Sequence, residues 1–155
     1  MSLNRRAVRV RLRDNRVLTG QIHITEGQSL VNFLSVKTHF LNLTEVQWLG
    51  TPQEIPLPHL SVRLDQIVWV EPLDGALPLS TGVAPTGEGR EVELQLVGDV
   101  TLQVTLGIAD EMRMSDYFDS NTAFVPLRSA RPGQGRDPVE RLAVNHEAIL
   151  TIREL

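Results

Sequence analysis

The chain has 155 residues, of which 41% are hydrophobic and 22% charged, a formal net charge of −4, and no cysteine. These values fit a folded globular chain and exclude a disulfide framework, a thiolate metal site and a thiol nucleophile. No segment approaches the roughly 20 continuous apolar residues that span a membrane, and the N-terminal arginines lead into alternation rather than an apolar run, so a cytoplasmic location is expected.

The charge is unevenly spread. Residues 1–75 carry eight Arg/Lys and seven Asp/Glu, whereas residues 76–155 carry seven Arg and twelve Asp/Glu. A net-acidic chain is a poor generic polyanion binder.

In chain order, Val8, Val10 and Leu12 alternate with Arg9, Arg11 and Arg13, the period of a strand with one apolar face. Asp14-Asn15 predicts a tight turn into a second strand at 17–25. A third strand is expected at 40–49, broken by Pro52, Pro56 and Pro58, and a closing pair at 60–64 and 67–70. The stretch from Pro72 to Arg90 is rich in Pro, Gly, Ser and Thr and predicts an extended or mobile linker.

The pattern then recurs. Shifted by 84 positions, Val8–Gln47 lies on Val92–Arg131 without a gap: Val8/Val92, Leu12/Leu96, Leu18/Leu102, Ile24/Ile108, Phe40/Phe124 and Leu43/Leu127 are identical. After a loop two residues shorter the shift becomes 82, and Leu60/Leu142, Val62/Val144, Ile67/Ile149 and Leu73/Leu155 match. An ordered set of matches at a near-constant shift is the signature of internal duplication. The expected organisation is one copy at 5–73, a linker at 74–89 and a second copy at 90–155. Five short strands per copy, without a long helix, suggest an all-β chain of two tandem five-stranded small barrels, since closure removes exposed edges.

The stretch Val8-Arg-Val-Arg-Leu-Arg-Asp-Asn-Arg-Val-Leu-Thr-Gly20 resembles the first strand, turn and bent second strand of Sm-like proteins, and Val62-Arg-Leu-Asp-Gln-Ile-Val-Trp-Val70 resembles their closing strand pair. Arg113-Met-Ser-Asp-Tyr-Phe118 is similar to a loop of uncharacterised bacterial Sm-like domains of unknown function. The resemblance covers most of the first copy and, through the repeat, the second. It implies a small β-barrel fold, six- or seven-membered rings made by pairing neighbouring edge strands, and RNA contact in the ring pore. Three chains would supply a six-domain ring. Two departures matter: Val104 replaces the bending glycine in the second copy, and neither Arg63-Leu-Asp-Gln66 nor Asn145-His-Glu-Ala148 carries the family's Arg-Gly turn.

Candidate contacts for a nucleic acid or other ligand are Arg9, Arg11 and Arg13 on one strand, Asn32, and Arg113 with Asp116. The arginines can reach phosphates, or form a solvated face or a salt bridge to the acidic half. Asn32 and Asp116 match the family's polar loop residue, while Ser115 or Asp116 can equally cap one helical turn with Arg113 as surface partner. Ile67-Val-Trp-Val70 and Ile149-Leu-Thr-Ile152 are apolar on both faces, which demands cover on both sides by a core or an interface. Ile67, Trp69 and Ile149 are the candidate interface residues. The histidines are scattered, and no nucleophile–base or phosphate-loop motif is present, so neither a catalytic residue, a metal site nor a cofactor is expected. The functional expectation is a non-enzymatic binding or assembly module that self-associates through edge strands or by pairing its two copies. An RNA-binding ring is the alternative, and an enzyme with an unrecognised site the weaker one.

Overall fold

The computed structural model describes residues 3–52, 54–81, 89–108, 111–119, 123–133 and 136–155. The alternating segments form β1 (Leu3–Leu12), β2 (Val17–Thr25), β3 (Phe40–Trp48), β4 (Leu57–Arg63) and β5 (Ile67–Pro72), followed by β6 (Gly89–Leu96), β7 (Val100–Gly107), β8 (Phe124–Pro132), β9 (Val139–Asn145) and β10 (Ile149–Glu154). Six-residue helices α1 (Leu30–Ser35) and α2 (Met114–Asp119) lie between the second and third strands of each half. The chain is all-β, and among the described residues no helix is long and apolar enough to cross a membrane.

All ten strands join one antiparallel sheet in the order β10-β6-β7-β8-β9-β5-β1-β2-β3-β4. Each half therefore runs fifth, first, second, third, fourth. Backbone conformation keeps the same spacing: the positive-φ residues Asn15 and Asp99, and again Glu45 and Ser129, are 84 positions apart. Two separate apolar clusters form, one around Val8, Leu18, Ile22 and Leu43, the other around Val92, Leu102, Val104 and Leu127.

The sheet is not closed: β4 and β10 are its two ends, and β5, with β1 on one side, takes β9 on the other. The two halves thus share one sheet.

The stretch expected to be a linker also differs. Leu77 and Leu79 are buried in the first cluster, and the carbonyls of Pro78 and Leu79 accept the first helical N–H groups of α1, from Leu30 at 2.8 Å and Val31 at 3.0 Å. Ser29 Oγ accepts the Asn32 N–H at 3.1 Å, so three donors that a helix start leaves open are satisfied. The Pro/Gly content masked the every-second-residue pattern of Leu77 and Leu79. The remainder of that stretch, 82–88, lies outside the described residues.

Gly20 sits where β2 crosses close to β3. A Cβ there would lie 3.2 Å from Leu43 Cβ and 3.3 Å from the Thr44 carbonyl oxygen. The β2–β3 ladder shifts register beside it and continues to Gln21↔Thr44, whereas the β7–β8 ladder, with Val104 at the matching place, comprises Leu102↔Pro132 and Gln103↔Arg131. Glycine lets the two strands touch at this point. Gly20→Val is expected to destabilise the chain by about 1–3 kcal/mol through overpacking, read as a lower urea midpoint with an unchanged slope.

Candidate functional site: the seam between the two halves

An apolar strand with no polar face needs cover on both sides, and β5 receives it within the chain. Ile67 and Val70 belong to the first cluster and Val68 and Trp69 to the second. The surface that covers this strand is the chain's own second half. The β5–β9 ladder aligns Trp69 with Val144 and Val70 with Ala143.

Side chains extend this short ladder. Asn145 Nδ2 donates to the carbonyls of Leu64 at 3.2 Å and Ile67 at 2.9 Å, while its Oδ1 accepts the Glu147 N–H at 3.1 Å. The buried amide of Asn145 is thus satisfied at both ends, which keeps the desolvation cost of a polar group low. Arg141 donates to the carbonyls of Leu77 and, at 3.1 Å, Asp74. Phe124, only 3% exposed, packs into the first-half cluster with Ala143. Such burial contributes about 1.5–3 kcal/mol for the ring alone. On the β-turn side, Gly98 at φ +88 comes so close to Asn15 that a Cβ would meet its Oδ1 at 2.8 Å.

Arg9 and Arg11 on β1, and Arg13 just past its end, each have a partner in this region. Arg9 Nη1 pairs with Glu71 at 3.3 Å. Arg13 Nε donates to the Asp65 carbonyl. Arg11 is 9% exposed, with its guanidinium carbon 5.3 Å from the Trp69 ring centroid and Nη2 donating to Asn15 Oδ1 at 3.1 Å. Burial first, and then the charge of Arg136, lower the Arg11 pKa.

The other sequence candidates lie elsewhere. Asn32 is exposed on α1. Arg113 and Asp116 stand 3.5 Å apart as an exposed i,i+3 pair on α2, the arrangement of a helix surface. Ile149 is half-buried on the end strand β10. Asn145, Arg141 and Phe124 were not among the sequence candidates. Phe124 had a signal in its identity with Phe40; Asn145 had none, because Arg63 holds the matching place.

Beside the seam lies an open cleft of about 340 Å³, lined among others by Leu34, Lys37, Leu64, Phe124, His146 and Glu147. Two of its polar groups are engaged: Lys37 Nζ sits 4.4 Å from the Phe33 ring centroid, and His146 Nε2 lies 3.0 Å from the Phe118 carbonyl, which makes that nitrogen the donor. Among the described residues no group of three or more His, Asp or Glu is arranged to hold a metal ion.

Asn145→Ala removes the donor to two carbonyls at the seam and is expected to cost about 1–3 kcal/mol, whereas Arg63→Ala, at the matching exposed place, is expected to change the stability of the isolated chain by under about 0.5 kcal/mol. Chemical denaturation of the two variants checks the difference. Compared with known proteins, the chain matches no family model, no curated protein and no solved structure.

Proposed function

We propose that the protein is a non-enzymatic, self-assembling scaffold of duplicated Sm-like type, in which β4 of one chain pairs with β10 of the next. One observation carries this reading: β5 and β10 have matching apolar sequences, but only β5 is covered. In β5 the first four residues are all buried. In β10, Leu150 is 64% exposed and Leu155, just beyond the strand, 52%.

The opposite end of the sheet supplies a matching surface. Phe124 is buried at the seam, whereas Phe40, its counterpart in the first half, is 45% exposed beside β4. Leu60, Ser61 and Val62 correspond to Leu142, Ala143 and Val144 of β9. Carrying the β5–β9 register to the sheet ends sets Val62 opposite the neighbouring chain's Thr151 and Ser61 opposite its Ile152. Arg63 then stands where Asn145 does, beside a neighbouring turn that bears Glu147, and opposite charges favour that register. An exposed sheet edge is a template for further strand pairing, and a head-to-tail contact of this kind closes into a ring or continues as a filament. Sm-like geometry favours closure at six domains, hence three chains.

Single-stranded RNA binding along β1 draws no support from the arginines, since Arg9 has a carboxylate and Arg13 a backbone carbonyl as partner.

Native mass spectrometry or light scattering at micromolar concentration is expected to give three times the 17.3 kDa chain mass. Leu150→Lys and Phe40→Glu, each at an exposed site, are expected to shift that mass toward the single chain without altering the circular dichroism spectrum. A wild-type monomer throughout the concentration range overturns the proposal.

A further inference from the structure

The two halves differ in what covers the start of their short helices. In the first half the chain leaves β5 with the Leu73 N–H donating to the Ala7 carbonyl at 2.9 Å, and Asp74 pairs with Arg6 at 3.4 Å. Residues 74–79 then cross to α1, where Leu77 and Leu79 enter the first cluster and the Pro78 and Leu79 carbonyls accept the Leu30 and Val31 N–H groups. The second half sets out on the same path. Leu155, which matches Leu73, donates its N–H to the carbonyl of Glu91, which matches Ala7, also at 2.9 Å.

At the place that 74–79 occupy on the first half, the described residues of the second half leave an open groove of about 440 Å³, lined among others by Arg90, Met112, Met114, Ser115, Ile152 and Glu154. Arg90, Met114 and Ser115 match Arg6, Leu30 and Val31, the residues that hold 74–79 in the first half. Burial differs accordingly: Val31 is buried and Ser115 exposed, Val70 is fully buried and its counterpart Ile152 half-buried, and Met112 is 40% exposed. The groove is held in shape by Arg90, whose Nε and Nη2 donate to the Glu154 carboxylate at 2.7 and 2.9 Å while Nη1 donates to the Met112 carbonyl at 2.8 Å. A preformed apolar groove costs little ordering to fill.

We propose that this groove binds an extended apolar peptide of the Leu-Pro-Leu type, supplied by a partner protein. The first half shows the chemistry that fits: two leucines two positions apart share one side of an extended segment, and the proline between them holds the backbone extended before binding. The sequence contains one Leu-Pro-Leu, at 77–79, and it is already seated on the first half, so the second groove requires a segment from another protein.

The groove lies within the second half and does not depend on assembly, so the wild type and the assembly variant Leu150→Lys are tested in parallel. Two of the three methionines line it, and methyl-labelled methionine NMR therefore reads it directly. The probe is a synthetic peptide with the sequence of residues 74–80, Asp-Gly-Ala-Leu-Pro-Leu-Ser. Titration to millimolar peptide is expected to shift the Met112 and Met114 methyl signals saturably in both proteins, whereas the peptide carrying Leu77→Asp and Leu79→Asp leaves them in place. Met112→Asp, at an exposed site where folding is not at stake, is expected to weaken binding at least tenfold, read at Met114. No shift in the wild type, an equal shift with the aspartate peptide, or full binding retained in Met112→Asp overturns the proposal. Methyl signals that move with protein concentration alone place a second copy of the chain in the groove and overturn it as well.

Discussion

The antiparallel pairing of β5 with β9 is the contact on which the rest of the molecule depends. Its aligned residues are few, Trp69 with Val144 and Val70 with Ala143, yet it converts two five-strand units into one ten-stranded sheet. A short ladder would be weak alone, since part of every hydrogen bond formed is offset by one lost to water. Here it is reinforced by buried side chains from both directions: Phe124 and Ala143 join the first core, and Val68 and Trp69 join the second. Neither core is complete without residues from the other half.

That sharing bears on why the sheet stays open. A small domain buries a limited fraction of its surface and gains from any partner that covers its strands. Each half gains one at the seam, and the same arrangement leaves β4 and β10 as sheet ends. The difference between a fully buried Val68 and a largely exposed Leu150, at matching places in matching strands, expresses this asymmetry in one residue pair. Arg9, Arg11 and Arg13 follow the same geometry. Those nearest β5 find Glu71 or a backbone carbonyl, and Arg11, facing Trp69, is left with a neutral partner.

Much of the strand layout was legible in the residues. Alternation at Val8, Val10 and Leu12 located β1, and Asp14-Asn15 located a turn whose positive φ falls at Asn15. Continuous apolarity at 67–70 correctly required cover on both faces. The Pro/Gly-rich composition around Pro78 conceals two leucines that pack into the first cluster and two carbonyls that complete the start of α1. Of the candidate site, Trp69 and Arg11 could be named from the sequence, but their stacking could not. Asn145 was invisible because its work is done toward two backbone carbonyls about 80 residues away, and backbone carbonyls leave no trace in a sequence.

By itself, then, the amino-acid sequence determined the period of the strands, the places where the chain turns, and two apolar skeletons in the same order, because these depend on contacts between near neighbours and on the conformational limits of single residues. Only the tertiary structure decided which edges meet. Every strand edge offers the same N–H and C=O groups, so pairing β9 with β5 rather than closing each half on itself is selected by how Phe124, Trp69, Asn145 and Arg141 fit together. It also decided which arginines are neutralised, since countercharge is a matter of distance in space and not along the chain.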